Sequence, residues 1–278
     1  MSGKVWFITG VSSGFGRTLA EEVARNGDKV IGTVRQLSQL AEFNNISPGN
    51  TFAYLMDVTN PDGVKATIEA AFNHFGRLDV LVNNAGYGFL GAVEEATIKD
   101  FKEVMETNFF GALQVTQAVL PYMRKQGSGR ILQMSSVAGF RATAGFGVYN
   151  ASKFALEGMS EALALEVAPL GIKVTIVEPG PFRTNFAGSS IKTARQEMPE
   201  YEGTARVFKN NILGYAGQQE GDPQKATQVL MQLVQSDAPP LRLPLGPTAI
   251  TAVRNKIQQV SQDLDTWETI AAKTSFDE

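Results

Sequence analysis

Short apolar runs alternate with helix-length amphipathic stretches along most of the chain. Runs at 5–9, 29–34, 52–56, 78–82, 131–135 and 172–177 are rich in Val, Ile and Phe and do not alternate cleanly between apolar and polar positions. Strands buried on both faces have this pattern, so the runs predict a parallel sheet covered by helices. Between them, 15–26 sets Leu19, Ala20, Val23 and Ala24 on one helix face, and Gly27 follows as a stop. Thr59-Asn60-Pro61 opens the next helix with a cap and an early proline. Longer helices are expected over 98–123 and 149–168. Alternating strands and helices predict the α/β class: a doubly wound parallel sheet with helices on both faces.

The pattern changes after Phe186. Residues 187–221 are polar and Gly-rich with a weak helix signal, which predicts a lid over 188–221. Asp222-Pro223 then reads as a cap and first turn of a helix to about 235. Residues 239–244, bounded by prolines, read as a short edge strand, and 248–272 as a last helix. No linker composition divides the chain. The expectation is one domain over 1–278, with 236–278 as a C-terminal extension.

Composition narrows the chemistry. The 278 residues carry a formal net charge of -3, and no basic run suggests a nucleic-acid partner. There is no cysteine, which excludes disulfides, thiolate metal sites and cysteine nucleophiles, and fits a reducing compartment. The apolar run near the N-terminus is too short for a signal peptide or a membrane span. A soluble cytoplasmic protein without a membrane partner is the expectation. The one histidine, His74, lies near a helix end before Phe75-Gly76. A hydrolytic triad or zinc site would have to be built on it alone, and a surface role is the commoner outcome.

The turn Thr9-Gly10-Val11-Ser12-Ser13-Gly14-Phe15-Gly16 joins the first strand to the first helix. Free backbone N–H groups and the positive end of the helix dipole make such a turn an anion site. Glycine is needed where backbone bends sharply or approaches a pyrophosphate. Alone, three glycines in a turn say little; their position directly after the first strand gives the turn its meaning.

The ordered motifs resemble those of the short-chain dehydrogenase/reductase family. Thr9 to Gly16 is similar to its dinucleotide fingerprint. Asp57 follows the third strand, Asn83-Asn84-Ala85-Gly86 the fourth, and Asn108 lies in the long helix. Ser135-Ser136 ends the fifth strand, Tyr149-x-x-x-Lys153 opens a helix, and Pro179-Gly180 with Thr184 follows the sixth. These matches span 4–184, and the C-terminal part is similar to bacterial members grouped with 17β-hydroxysteroid and retinol dehydrogenases. The resemblance implies a Rossmann fold and a nicotinamide cofactor. It implies cofactor contacts at Gly10, Ser12, Ser13, Gly14, Phe15 and Gly16, then at Asp57 and Val58, at Asn84, Ala85 and Gly86, and at Pro179, Gly180, Phe182 and Thr184. Phe182 stands where the family is usually aliphatic. Tyr149 and Lys153 would also touch the cofactor.

Cofactor choice is read at the end of the second strand. An acidic residue there suits NAD, and a nearby arginine suits the 2′-phosphate of NADP. The strand ends Thr33-Val34-Arg35, with no acidic residue before Glu42. Arg35 can make a charge-assisted, bidentate phosphate contact, so NADP (NADPH) is expected over NAD.

Hydride transfer to a carbonyl requires a proton donor, and the reverse reaction a base. Tyr149 and Lys153 share a helix face at i, i+4. A cationic Lys153 would lower the phenol's pKa from its ordinary value of about 10. Ser136 supplies a hydroxyl for the substrate oxygen. The resemblance selects Ser136 over Ser135, places Lys153 on the nicotinamide ribose, and gives Asn108 a water-holding role in a proton relay. Candidate pocket residues beyond the strand ends are Tyr87, Phe89, Val137, Phe140, Phe146, Phe182 and Phe186. They suggest an apolar ketone, aldehyde or alcohol as the small-molecule partner. A homodimer or homotetramer built on the helices around 98–123 and 149–168 is implied by the family. Two alternatives stand beside this oxidoreductase. A catalytically silent nucleotide sensor should have lost the Tyr-Lys pair. A sugar-nucleotide epimerase should show Gly-x-x-Gly-x-x-Gly and a longer substrate region.

Overall fold

The computed structural model describes residues 3–188 and 190–276. Ser189 of the expected lid, and Met1, Ser2, Asp277 and Glu278 of the expected domain, lie outside them. Strands β1 (Val5–Ile8), β2 (Lys29–Val34), β3 (Thr51–Leu55) and β4 (Val80–Asn83) alternate with helices α1 (Gly14–Arg25), α2 (Ser38–Asn44) and α3 (Pro61–Phe75). A short strand β5 (Gly88–Leu90) follows. After it come α4 (Ile98–Met105), α5 (Ala112–Gln126), β6 (Gly129–Met134), α6 (Gly147–Val167) and β7 (Ile172–Pro179). The chain ends with β8 (Ile191–Thr193), α7 (Val207–Gly214), α8 (Pro223–Gln235), β9 (Arg242–Leu245) and α9 (Pro247–Ala271).

Seven strands form one parallel sheet in the order β3-β2-β1-β4-β6-β7-β9. Their side chains serve two cores, as apolar runs without clean alternation require. Trp6 and Ile8 face α1 and α8, together with Val30, Val82 and Leu132. Val5 and Phe7 face the α3, α5 and α6 side, with Ile31, Leu81 and Ile131. The result is the single-domain, doubly wound Rossmann-type architecture that the alternation predicts. The strand order reverses between β1 and β4, so a crevice opens beyond their carboxyl ends, where ligands of such sheets bind.

Several elements differ from the sequence reading. The expected single helix over 98–123 is broken by a π-turn at Glu106–Gly111, between α4 and α5. A capping box of Thr97 and Asp100 starts it. The extra residue of a π-turn swings one side chain out of helical phase, and here the buried residues of that turn are Asn108 and Gly111. Helix α2 and the parallel pairing of β5 with β8 are additions, too short to show periodicity. The 188–221 region is more ordered than a loop: it holds β8, a π-turn at Glu202–Arg206 and α7. Helix α6 begins at Gly147, slightly before Tyr149. The proline-bounded edge strand is β9, paired with β7. His74 is in the last turn of α3, its ring 4.4 Å from that of Phe75 and 5.6 Å from that of Phe52. Among the described residues no helix is long and apolar enough to cross a membrane.

Candidate active site

The Gly-rich turn is shaped by close approach. Gly10 has a φ of +71°, which L side chains rarely adopt. A Cβ at Gly16 would lie 2.4 Å from both the Asn84 side-chain nitrogen and the Gly10 carbonyl oxygen. Asn84 fastens the end of β4 to this turn: its Nδ2 donates to the carbonyls of Thr9 and Gly10, each at 2.9 Å. The Asn84 and Ala85 N–H groups both donate to Thr9 Oγ1 at 3.0 Å. Helix α1 then begins at Gly14 with no side-chain cap from Ser13 and no acidic residue in its first turn. Its opening N–H groups and dipole are left to face the crevice, where an anion would meet them.

The crevice is a cleft of about 680 Å³. Gly10, Ser12, Ser13, Gly14 and Phe15 form one wall, and the strand ends Val34, Arg35, Asp57 and Val58 another. Asn84, Ala85 and Gly86 lie between, and Thr184, Phe186, Ile191 and Lys192 close the far side. Arg35 is exposed, and among the described residues it is in no ion pair, whereas Glu42 is held by Arg17 at 2.9 Å. Asp57 accepts from the N–H and hydroxyl of Thr59. An uncapped helix start, an open cleft and an exposed arginine at the end of β2 fit a dinucleotide. Of the remaining expected cofactor residues, Gly16 packs under the turn, and Gly180 donates to the Leu245 carbonyl at 3.0 Å. Pro179 offers its carbonyl to Ser136 Oγ at 3.5 Å. Phe182 turns away from the cleft lining: its ring meets Phe15 edge-on at 5.0 Å, and its main chain bridges Gly221.

Tyr149 is 5% exposed and lies in an apolar cluster. Phe146 stacks on its ring at 4.5 Å, and the ring of Phe186 lies 5.5 Å away. Ile191, Phe208 and Ile212 from the lid complete the cover. Burial pushes the phenol well above the ordinary tyrosine range, and the nearby Ser136 hydroxyl pulls the other way. The lowering expected from Lys153 does not set the direction here, because burial is the dominant influence on the phenol. Lys153 Nζ stands 5.7 Å from the Tyr149 ring centre and donates to the Met134 carbonyl at 2.7 Å. Its own burial lowers the ammonium to about 8, opposed by the charge of Glu157.

Asn108 is 1% exposed. Its side chain clamps Tyr87, accepting from the Tyr87 N–H at 3.0 Å and donating to the Tyr87 carbonyl at 2.9 Å, and it also donates to Ser152. A Cβ at Gly86 would lie 3.0 Å from Asn108 Oδ1 and 3.7 Å from Lys153 Nζ. The structure thus gathers Tyr149 with Ser136 and Lys153, and Lys153 with Gly86 and Asn108.

Behind this group is a charge network that motif reading missed. Glu157, one turn after Lys153, accepts from Ser135 Oγ at 2.5 Å. Arg242 of β9 bonds Glu157, and also Glu178 at 2.6 Å and Glu161 at 2.8 Å. Burial first, and then the charge of Glu157, push the Glu178 carboxyl up to about 7. The guanidinium also lies 5.1 Å from the centre of the Phe140 ring. Phe140 therefore belongs to this network and not to the cleft lining. Phe89 packs in a small core with Val104 and Val148, and Val137 opens the 3-10 turn after Ser136. Tyr87 and Phe186 line the cleft, while Phe146 reaches Tyr149.

The profile described as short chain dehydrogenase matches residues 4–195. The chain is 37% identical to oxidoreductase BOA17 of Botryotinia fuckeliana, over 96% of this chain and 98% of that one. It is 39% identical to 3-ketodihydrosphingosine reductase of Bacteroides thetaiotaomicron, over 89% of each. The solved structure of a short-chain dehydrogenase from Streptomyces avermitilis superposes with a TM-score of 0.93 at 40% identity, covering 99% of both chains. Other solved structures of this fold hold NAD in one case and NADP in another. The chain belongs to the short chain dehydrogenase family of oxidoreductases.

Proposed function

We propose that the protein is an NADP(H)-dependent oxidoreductase that interconverts an alcohol and a ketone or aldehyde on an apolar small molecule, with Tyr149 as the proton donor and acceptor. The observation that carries this reading is the buried Tyr149, with Ser136 close enough to influence its phenol and Lys153 Nζ beside its ring. The nicotinamide dinucleotide supplies or accepts the hydride. The opening N–H groups of α1, around Ser13, Gly14 and Phe15, hold its pyrophosphate. Arg35 takes the 2′-phosphate. Asn84, Ala85 and Gly86 border the adenine ribose, and Pro179, Gly180 and Thr184 the carboxamide. Phe182 packs on Phe15 and so supports the Gly-rich turn.

Ser136 holds the substrate oxygen, and Tyr149 passes a proton to it or takes one from it. Burial keeps the phenol protonated, which suits carbonyl reduction. Lys153 binds the nicotinamide ribose and replenishes the proton through water held at Asn108. The apolar cover of Phe146, Phe186 and Phe208, and the similarity to a ketodihydrosphingosine reductase, support a ketone on a large apolar body.

The test is NADPH consumption against a panel of apolar ketones and aldehydes, repeated with NADH. We expect a strong preference for NADPH and its erosion by about tenfold or more in Arg35→Ala, on the order of one charge-assisted hydrogen bond. Equal kcat/KM for the two cofactors would overturn the assignment of NADP. Tight NADPH binding without turnover across the panel would favour a nucleotide sensor.

A further inference from the structure

Helix α9 runs past the body of the protein. Ala249 and Ala252 are buried against it and Val253 and Lys256 half-buried, but every residue from Ile257 to Ala271 is exposed. The exposed stretch is roughly fifteen residues and about 22 Å long, a length at which an isolated helix is marginal in water. Its apolar residues are regularly spaced. Ile250, Ile257, Leu264 and Ala271 recur at one position of a heptad, and Val253, Val260 and Trp267 at another. A strict repeat of this kind is a coiled-coil seam. Ile257, Val260, Leu264 and Trp267 are each at least half exposed.

We infer that this seam pairs with the same seam of a second copy of the chain, antiparallel, about a two-fold axis near residue 262. The flanking charges select the occupant and the direction. Antiparallel pairing sets Ile257 against Trp267 of the partner subunit and Val260 against Leu264 of the partner subunit. It also brings Arg254 beside Glu268 of the partner subunit, twice by symmetry. One like-charge approach remains, Asp263 against the partner's Asp263 across the axis. Parallel pairing would place Asp263 beside Glu268 of the partner subunit twice and would make no attractive pair. An anionic membrane is a poor occupant, because Asp263, Asp265 and Glu268 crowd the free end while Arg254 and Lys256 stay near the body. This interface lies away from the helices around 98–123 and 149–168, and it stands independently of the proposed activity.

The test uses the full-length protein. Light scattering after gel filtration is expected to give an assembly of at least two 30.0 kDa chains. Leu264→Asp halves that mass, lowers the helical circular dichroism by no more than the fraying of residues 257–271, and leaves NADPH oxidation unchanged. The chain has no cysteine, so single cysteines report orientation. Ser261→Cys, close to its own copy at the axis, is expected to cross-link through a short bismaleimide. Ile257→Cys should not, because antiparallel pairing separates the two copies by roughly 15 Å along the axis. A monomeric wild-type protein or an unchanged mass in Leu264→Asp would overturn the inference. So would cross-linking at 257 in place of 261, or a monomer that floats with phosphatidylcholine–phosphatidylserine vesicles.

Discussion

Replacing Arg242 by Met removes one cation and keeps most of the aliphatic bulk over Phe140. Glu178 is 0% exposed and Glu157 is 2% exposed, and both bond the same Arg242 nitrogen. Taking away one partner of a buried ion pair costs about 3–5 kcal/mol, because the other charge is left without compensation. The cost depends on pH. Glu178 is raised from 4.5 to about 7, so its carboxyl contributes fully to stability below about 4.5 and that contribution is lost as pH rises through about 7. A shift of that size corresponds to roughly 3 kcal/mol. In Arg242→Met both carboxyls hold protons in the folded state well above their ordinary range. Its stability should then fall with pH at up to about 2.7 kcal/mol per unit, against about 1.4 for one such group. Urea unfolding at about pH 5.5 and about pH 8 measures this directly. The deficit of Arg242→Met should be small at the lower pH and at least about 3 kcal/mol at the higher. A deficit that is the same at both, or under about 1 kcal/mol at the higher pH, would refute the reading of this network as two buried carboxylates held by one cation.

Asn84→Ala removes two hydrogen bonds to the Gly-rich turn, a loss of about 2 kcal/mol, and should weaken NADPH binding about tenfold or more in a fluorescence titration. Unchanged affinity would show that the turn holds its shape without Asn84. Phe208→Ala opens the apolar cover beside Phe146, whose ring lies 5.4 Å away. With less desolvation the Tyr149 phenol moves down toward its ordinary value, so the high-pH fall of carbonyl reduction should begin at lower pH, with KM raised several-fold for bulky ketones. A pH–rate profile identical to that of the wild type would mean that the lid does not desolvate the phenol.

The sheet was legible because its strands are buried on both faces, and burial on both faces leaves mostly apolar runs without clean alternation, such as 5–9. The Gly-rich turn was legible because its chemistry is local: one strand, one turn and one helix start build it. Pairings across sequence left no such trace. Arg242 reaches Glu157 and Glu178 over separations of 85 and 64 residues. The β5–β8 pairing joins a three-residue strand soon after β4 to a three-residue strand inside the lid. The aromatic candidates divide for the same reason. Phe146 and Phe186 reach Tyr149, whereas Phe89 packs in a separate core and Phe140 under a guanidinium. Their direction is set by tertiary packing, which residue type alone does not encode. The π-turn that buries Asn108 lies within a continuous helical stretch, and only the backbone reveals where the phase shifts.

Tyr149→Phe removes one oxygen atom from a ring whose packing against Phe146 and Phe186 stays in place. NADPH affinity measured by fluorescence titration should change by no more than about twofold, since the cofactor cleft is lined by other residues. Turnover of the best ketone should fall by about 10²–10⁴-fold, the usual worth of a positioned general acid. Turnover within about tenfold of the wild type, with NADPH still bound, would contradict the assignment of Tyr149 as the proton donor.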